Sequence, residues 1–175
     1  RKGQPVGVIT AVDIVQYESH GSIYLVSEIF KQNDVAGLKA ISEKIKPSFV
    51  HMVNEDANSH MIGSALSFIA SSISQRLLQL GEARLGPPPV PYCWLCGGSQ
   101  ARREQSSHSD QDNALLISDE MQPEHEAYFT NLANRVCDGL NACGFIYCPG
   151  DAMASNSAAP SSEASAAAFA AADTM

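Results

Sequence analysis

The sequence predicts a mixed α/β fold, in which a small mixed sheet with flanking helices follows a helical segment. Three observations lead to this prediction. Between residues 23 and 85 the apolar residues recur mostly at helical spacing. From residue 90 onward, short apolar runs of strand length alternate with one long amphipathic stretch. The residues between these runs are glycine, proline, serine and charged residues, which are typical of turns.

Composition limits the classes of protein to consider. The chain has 175 residues, of which 45% are apolar, and this is enough for one good-sized core or a small domain with appendages. A formal charge of −8 gives no general attraction to nucleic acid, so any anion site must be local. The apolar runs are too short to span a bilayer. The five cysteines and the lack of a signal peptide predict reduced thiols in the cytoplasm.

The first 86 residues divide into two parts. Residues 1–19 contain an apolar strand, Val6 to Thr10, and a short helix capped by Asp13, which we interpret as the end of a domain that begins upstream. The absence of an initiator Met agrees with a piece of a longer protein. Residues 20–86 are predicted to be helical. One helix carries apolar residues three apart from Val35 and is stopped by Pro47.

A second, longer helix is predicted between residue 61 and Gly86, where three prolines follow. Its apolar stripe consists of Ile62, Leu66, Ile69, Ile73 and Leu77. His51 and His60 flank Glu55 and Asp56 ahead of this helix. Their spacing matches no compact metal motif, so we interpret them as solvated or capping residues.

Residues 87–151 are predicted to form the sheet and its flanking helix. Residues 90–96 read as a buried strand, and the pair Cys93 and Cys96 within it is interpreted as buried strand residues rather than as a zinc or redox site. A second strand spans 113–117, a helix begins at Pro123 and stops at Gly144, and residues 145–148 form a further short strand. Residues 152–175, with eleven Ala and five Ser, are predicted to be a low-complexity, disordered tail.

A polar window between the first two strands carries the candidate chemistry. Gly97 and Gly98 allow a tight turn and close approach of a ligand, and Ser99 adds a hydroxyl donor. Arg102 and Arg103 offer guanidinium groups suited to phosphate oxygens. The alternative interpretation is a polar surface loop held by Arg–Asp pairs.

Asp110 and Asp112 follow, two residues apart and directly before a strand. Side chains at i and i+2 of an extended segment point to the same side, so both carboxylates can hold one Mg²⁺. Mg²⁺ is typically bound together with substrate phosphates, which predicts a phosphate and metal site.

The stretch GPPPVPYCWLCGGSQARREQSSHSDQDNALLISDE resembles the signature of the polymerase-beta-like nucleotidyltransferase superfamily. More closely, it is similar to the nucleotidyltransferase domain related to the N-terminal part of protein-PII uridylyltransferase, found in bacterial signal-transduction proteins that often carry CBS domains. Residues 1–19 resemble the end of a CBS domain, 20–86 the connecting region, and 87–151 the nucleotidyltransferase core. The resemblance continues through RVCDGLNACGFIYCPGDAMASN to Asn156.

The resemblance implies roles for individual residues. Gly98 and Ser99 would hold the triphosphate of ATP or UTP, and Asp110 and Asp112 would carry catalytic Mg²⁺. Arg102 and Arg103 would contact phosphate, with Glu104 in a structural ion pair. The implied reaction moves a nucleotidyl group to an acceptor hydroxyl, for which a PII-type protein is one candidate.

The sequence departs from the family pattern at three places, of which the smallest is Gly97 and Cys96 in place of bulkier strand residues. Ala101 stands where the family has glycine, which would restrict the turn if that position needs a positive φ. The superfamily also uses a third carboxylate on a later strand, and none of Asp119, Glu120, Asp138 and Asp151 is placed to supply it. The alternatives are therefore a catalytically inactive nucleotide-binding regulatory module and a helical piece that forms a homo-oligomer.

Overall fold

The computed structural model of the chain describes residues 22–106 and 108–156. Within these ranges four helices come first: α1 (Ser22–Lys31), α2 (Val35–Ser42), α3 (Ile45–Asn54) and α4 (Ser59–Leu85). They are followed by β1 (Tyr92–Cys96), the short helical turn α5 (Gly98–Ala101), β2 (Asp110–Gln111) and β3 (Asn113–Ile117). The 3-10 turn Pro123–His125, the helix α6 (Glu126–Ala142), the strand β4 (Ile146–Tyr147) and the 3-10 turn Ala154–Asn156 complete the order.

The predicted helical segment is confirmed, with one correction. Asp34 caps α2, and its carboxylate accepts a hydrogen bond of 2.7 Å from the Gly37 N–H. Pro47 does not end this helix, because α2 stops at Ser42 and Pro47 lies in the first turn of α3. The first N–H groups of a helix have no intrahelical acceptor, so a proline there sacrifices no hydrogen bond.

The helix α4 organises the helical layer. Its 27 residues begin after the cap Asn58 and end at Gly86, which adopts φ +93. The five residues of the predicted apolar stripe are all buried within the chain itself: Ile62, Leu66, Ile69, Ile73 and Leu77. The stripe is therefore not the exposed surface that would favour homo-oligomer formation. No helix among the described residues combines the length and the apolarity that crossing a bilayer requires.

The strands form two small pairings, which agrees with the predicted mixed sheet. β1 and β3 are antiparallel, with Tyr92 opposite Ile117 and Cys96 opposite Asn113. β2 and β4 are parallel and pair over two residues each, with Asp110 opposite Ile146. Only Asp112 lies between β2 and β3, so the continuous segment from Asp110 to Ile117 pairs first with β4 and then with β1.

Two clusters of buried apolar side chains share the helix α6. The first joins α1, α2 and α4 to one side of α6 and includes Leu38, Ile73 and Leu132. The second joins the β1–β3 pair to α6 and includes Leu115 and Phe129. Because α6 contacts both clusters, it fixes the helical layer relative to the strands that carry the polar window.

The residues after β4 also belong to the core. Met153 and Ala154 are buried, and the Ala154 N–H donates to the Asn113 side chain at 2.9 Å. The packed chain thus extends through at least 156, beyond the predicted start of the low-complexity tail at residue 152. The predicted strand and helix of residues 1–19 and the remainder of the tail lie outside the described residues.

The two cysteines of β1 differ in exposure. The strand is confirmed, but the prediction that both thiols are buried is wrong, because Cys93 is exposed and Cys96 is only half-buried. Successive side chains of a strand point to opposite faces, and the helices cover one face of this two-stranded pair. All five cysteines are free thiols.

Candidate metal and nucleotide site

The pairing of β1 with β3 brings the glycine turn against the aspartate segment. Cys96 lies opposite Asn113, and one residue further the Gly97 N–H donates to the Asp112 carbonyl at 2.8 Å. The turn and Asp112 are 15 residues apart in sequence, counted from Gly97. The antiparallel register therefore creates the neighbourhood that the sequence motif suggested.

Gly98 meets the Asp112 side chain at very close range. Its φ is +50, a conformation that side chains with a Cβ rarely adopt. A Cβ at this position would overlap the Asp112 Oδ2 atom. Glycine is thus required here twice, for the backbone conformation and for the space that the carboxylate occupies.

The turn itself is helical. Hydrogen bonds run from the Ala101 N–H to the Gly97 carbonyl at 3.1 Å and from the Glu104 N–H to the Ser99 carbonyl at 2.9 Å. Ala101 lies in this helical turn and is not among the residues with positive φ, so alanine in place of the family's glycine introduces no strain. Besides Gly98, the residue of this turn that adopts a positive φ is Arg103, at +59.

The helix α4 supports the turn from below. The side-chain amide of Gln100 donates to the Ser71 hydroxyl at 3.1 Å. Gly63 lies directly under the Arg103 carbonyl, where a Cβ would collide with the backbone. A small residue in α4 therefore allows the turn to pack closely on the helical layer.

Three potential metal ligands converge beside the turn. The ligand atoms of Asp110, Asp112 and Cys148 all lie within 4.8 Å of one another. The two carboxylates are half-buried and the thiol is buried. Cys148 arrives there because β4 pairs with β2 and ends one residue before it. Burial, and then a hydrogen bond with Asp112, raises the pKa of the Cys148 thiol.

No third carboxylate joins this cluster within the parts of the chain that the structure describes. Asp138 instead accepts a hydrogen bond of 2.8 Å from the Tyr147 hydroxyl. Asp151 accepts one of 3.0 Å from the Asn156 amide. His51 and His60 likewise belong to no such cluster among the described residues.

The residues that alternate with the two aspartates hold the segment in place. The Gln111 amide is buried and donates to the carbonyls of Cys137 and Phe145, both at 3.0 Å. The Gln111 side-chain oxygen accepts from the Asn113 amide at 3.1 Å. Because side chains alternate along an extended segment, burying Gln111 and Asn113 directs both aspartates to the opposite side. Sequence reasoning missed this pair, although the alternation in DQDN was its signal.

The arginines that follow the turn are exposed. Arg102 forms an ion pair with Glu104, with 3.0 Å between Nε and Oε2. This matches the structural ion pair expected for Glu104. Arg103 is the other exposed arginine of this segment. Both members of the Arg102–Glu104 pair are largely solvated, so the pair adds little to stability.

The donor set fits a divalent cation. Two carboxylates supply the hard oxygen ligands that Mg²⁺ prefers, with room for water and phosphate oxygens to complete its shell. The thiol of Cys148 is a softer donor, which Zn²⁺ accepts more readily than Mg²⁺. Asp110 and Asp112 therefore form the part of the cluster that suits Mg²⁺.

Comparison with known proteins agrees with this geometry. Searches of curated proteins and of solved structures each returned no match. Residues 43–166, well over half of the chain, match the family described as "Putative nucleotidyltransferase DUF294". The match includes the glycine turn, both aspartates and Cys148, and so this chain belongs to the DUF294 nucleotidyltransferase family.

Proposed function

We propose that this chain binds a nucleoside triphosphate together with Mg²⁺ and transfers its nucleotidyl group to an acceptor hydroxyl. One observation carries the proposal: the Asp112 carboxylate lies against the glycine turn, with Asp110 beside it. A phosphate-binding turn and a carboxylate pair in contact are what such a reaction needs, since catalysis consists mainly of positioning and charge stabilisation.

Each group has a distinct part in this proposal. Gly98 lets the backbone approach the phosphates, and Ser99 offers its hydroxyl as a donor. Asp110 and Asp112 hold the cation, which would neutralise charge on the phosphate oxygens. Arg103, exposed at the end of the turn, contributes a guanidinium toward the same oxygens.

In the proposed transfer, the acceptor hydroxyl oxygen forms a bond to the α-phosphorus. The bond that breaks joins the α-phosphorus to the oxygen that bridges it to the β-phosphate. Pyrophosphate leaves with the bridging oxygen, and the hydroxyl proton passes to solvent. The triphosphate is ATP or UTP.

The acceptor in this proposal is a protein of the PII type, in a bacterial cytoplasmic signalling pathway with a CBS domain upstream. Two resemblances support this finer assignment. Residues 1–19 resemble the end of a CBS domain, and residues 87–151 resemble the nucleotidyltransferase domain related to protein-PII uridylyltransferase. The assignment predicts that the chain labels a PII-type protein with radioactive UTP, and that the label is absent when the acceptor is omitted.

A second candidate is nucleotide binding without turnover. It is favoured by the identity of the third potential ligand: among the described residues this is the Cys148 thiol and not a carboxylate. In this case the site would report nucleotide concentration to the attached regulatory domains. Release of pyrophosphate distinguishes the two candidates.

The test is calorimetric titration of the chain with ATP and with UTP, with and without Mg²⁺. The double variant Asp110→Asn, Asp112→Asn should lose Mg²⁺-dependent binding and keep its circular dichroism spectrum. The matched control is Asp119→Asn with Glu120→Gln, two exposed residues with the same loss of charge. Retained Mg²⁺-dependent binding in the first variant would refute the assignment of the site.

A further inference from the structure

A cavity of about 390 Å³ lies between the helical layer and the segment that leads into β2. Helices α2 and α3 contribute Lys39 and Lys46, and residues 105, 106, 108 and 109 contribute from the other side. Its volume falls within the range of small-molecule sites. None of Gly98, Ser99, Asp110 and Asp112 lines it.

The cavity and the metal cluster lie on opposite sides of the aspartate segment. Ser109 lines the cavity, and Gln111 donates to the carbonyl of Phe145, another lining residue. Asp110 and Asp112 belong to the metal cluster. Since alternate side chains of an extended segment point to opposite sides, residues 109 and 111 face the cavity side and the aspartates face away from it.

One buried polar group in the cavity wall has no partner in the part of the chain that the structure describes. Gln105 is only 4% exposed, and its side-chain oxygen accepts no hydrogen bond from the described residues. Leaving a buried acceptor unpaired costs about 1–3 kcal/mol. That oxygen has almost no exposed surface in the free protein, so the side chain would have to turn before a ligand N–H in the cavity could donate to it.

The remaining wall specifies the rest of the ligand. Phe145 and Leu66 offer apolar surface for a planar ring. Lys39 and Lys46 are exposed cations at the cavity, and Glu43 is the only carboxylate among the lining residues. Two lysines and one glutamate give the lining a net charge of +1, not counting His108, and this suits an anion.

We propose that this cavity is a second nucleotide site, which binds a nucleoside monophosphate without a metal ion. The base lies on Phe145 and donates an N–H to Gln105, and the phosphate lies at Lys39 and Lys46. This proposal goes beyond the proposed transferase activity and does not depend on it, because it uses none of the residues of the metal cluster.

The experiment is calorimetric titration of the full chain with AMP, UMP and inorganic phosphate in the presence of EDTA. We expect one molecule of AMP or UMP to bind per chain, and phosphate to bind more weakly because it has no ring. Lys39→Ala and Lys46→Ala should each weaken binding about three- to tenfold, as expected for a charged contact near the surface. Lys44→Ala, the matched control, removes a lysine outside the cavity lining and should leave binding unchanged.

Gln105→Met separates a ligand contact from a structural role. The substitution removes the unpaired acceptor, so the thermal midpoint of the free protein should stay the same or rise, while AMP binding weakens. A destabilised variant that binds AMP with unchanged affinity would overturn the role of Gln105.

The outcomes also separate this site from the metal site. The proposal is supported if AMP binds in EDTA and still binds to the double variant Asp110→Asn, Asp112→Asn. This holds even if the wild-type protein shows no Mg²⁺-dependent binding of ATP. The proposal is overturned if neither monophosphate binds in EDTA, if phosphate binds as tightly as AMP, or if the double aspartate variant abolishes AMP binding.

Discussion

Gly98→Ala tests whether the close approach of the turn to Asp112 is essential to the site. The residue has φ +50, and placing a residue with a Cβ in the left-handed region costs about 1–2 kcal/mol. The new methyl group would also overlap the Asp112 Oδ2 atom. Forcing that side chain off its rotamer adds roughly 0.5–1.5 kcal/mol. We therefore expect a loss of about 1.5–3.5 kcal/mol in the free energy of unfolding.

The assay combines urea unfolding with calorimetric titration of Mg²⁺ and ATP. The matched control is Gly144→Ala, because Gly144 also has a positive φ of +96 but has no atom within 4 Å of a Cβ. The control should lose stability through backbone strain alone and keep its metal-dependent binding. Gly98→Ala should lose both stability and metal-dependent binding, because the new methyl group displaces the Asp112 side chain, which is a proposed metal ligand.

One result would refute this reasoning. If Gly98→Ala folds and binds Mg²⁺ and ATP with the wild-type affinity, the contact between the turn and Asp112 does not form the site. Equal stability losses in the two variants would show that the overlap with Asp112 relaxes without cost.

Three further predictions concern the supporting residues. Asn113→Ala should lower the free energy of unfolding by roughly 2–4 kcal/mol in urea, because it leaves the Ala154 N–H and the Gln111 side-chain oxygen buried and unpaired. Burial raises the pKa of the Cys143 thiol from 9.0 to about 11, so the folded state keeps its proton where the unfolded state loses it. Stability should therefore fall as the pH rises from about 9 to 11, and the fall should be smaller in Cys143→Ala. Cys148→Ser should lower the affinity for Zn²⁺ relative to that for Mg²⁺, measured by competition between the two ions, because oxygen replaces a softer sulfur donor; an unchanged ratio would show that sulfur contacts no metal.

Much of the fold follows from local patterns in the sequence. The stripe from Ile62 to Leu77, the strand at 113–117 and the helix before Gly144 were all predictable, because apolar spacing and glycine stops act over a few residues. The end of α2 was not predictable from Pro47. A proline is compatible with both the end of one helix and the first turn of the next.

The residue types of the candidate site were predictable from the sequence, but its third potential ligand was not. The GGS turn and the pair Asp110 and Asp112 are visible as a motif. The sequence alone did not indicate Cys148 as the third group, because its local sequence context gives no sign of its neighbours. Cys148 joins the cluster only because β4 pairs with β2.

The sequence by itself determined which segments are helix, strand and turn, and which residues in the polar window carry ligand chemistry. Those properties depend on local spacing and on the functional groups of the side chains. Only the tertiary structure decided that Gly98 lies against Asp112 and that Gln111 and Asn113 hold the segment. It also decided that the lysines of α2 and α3 line a cavity together with the residues that lead into β2. These contacts join residues far apart in the chain, so they depend on strand register and helix packing rather than on any local pattern.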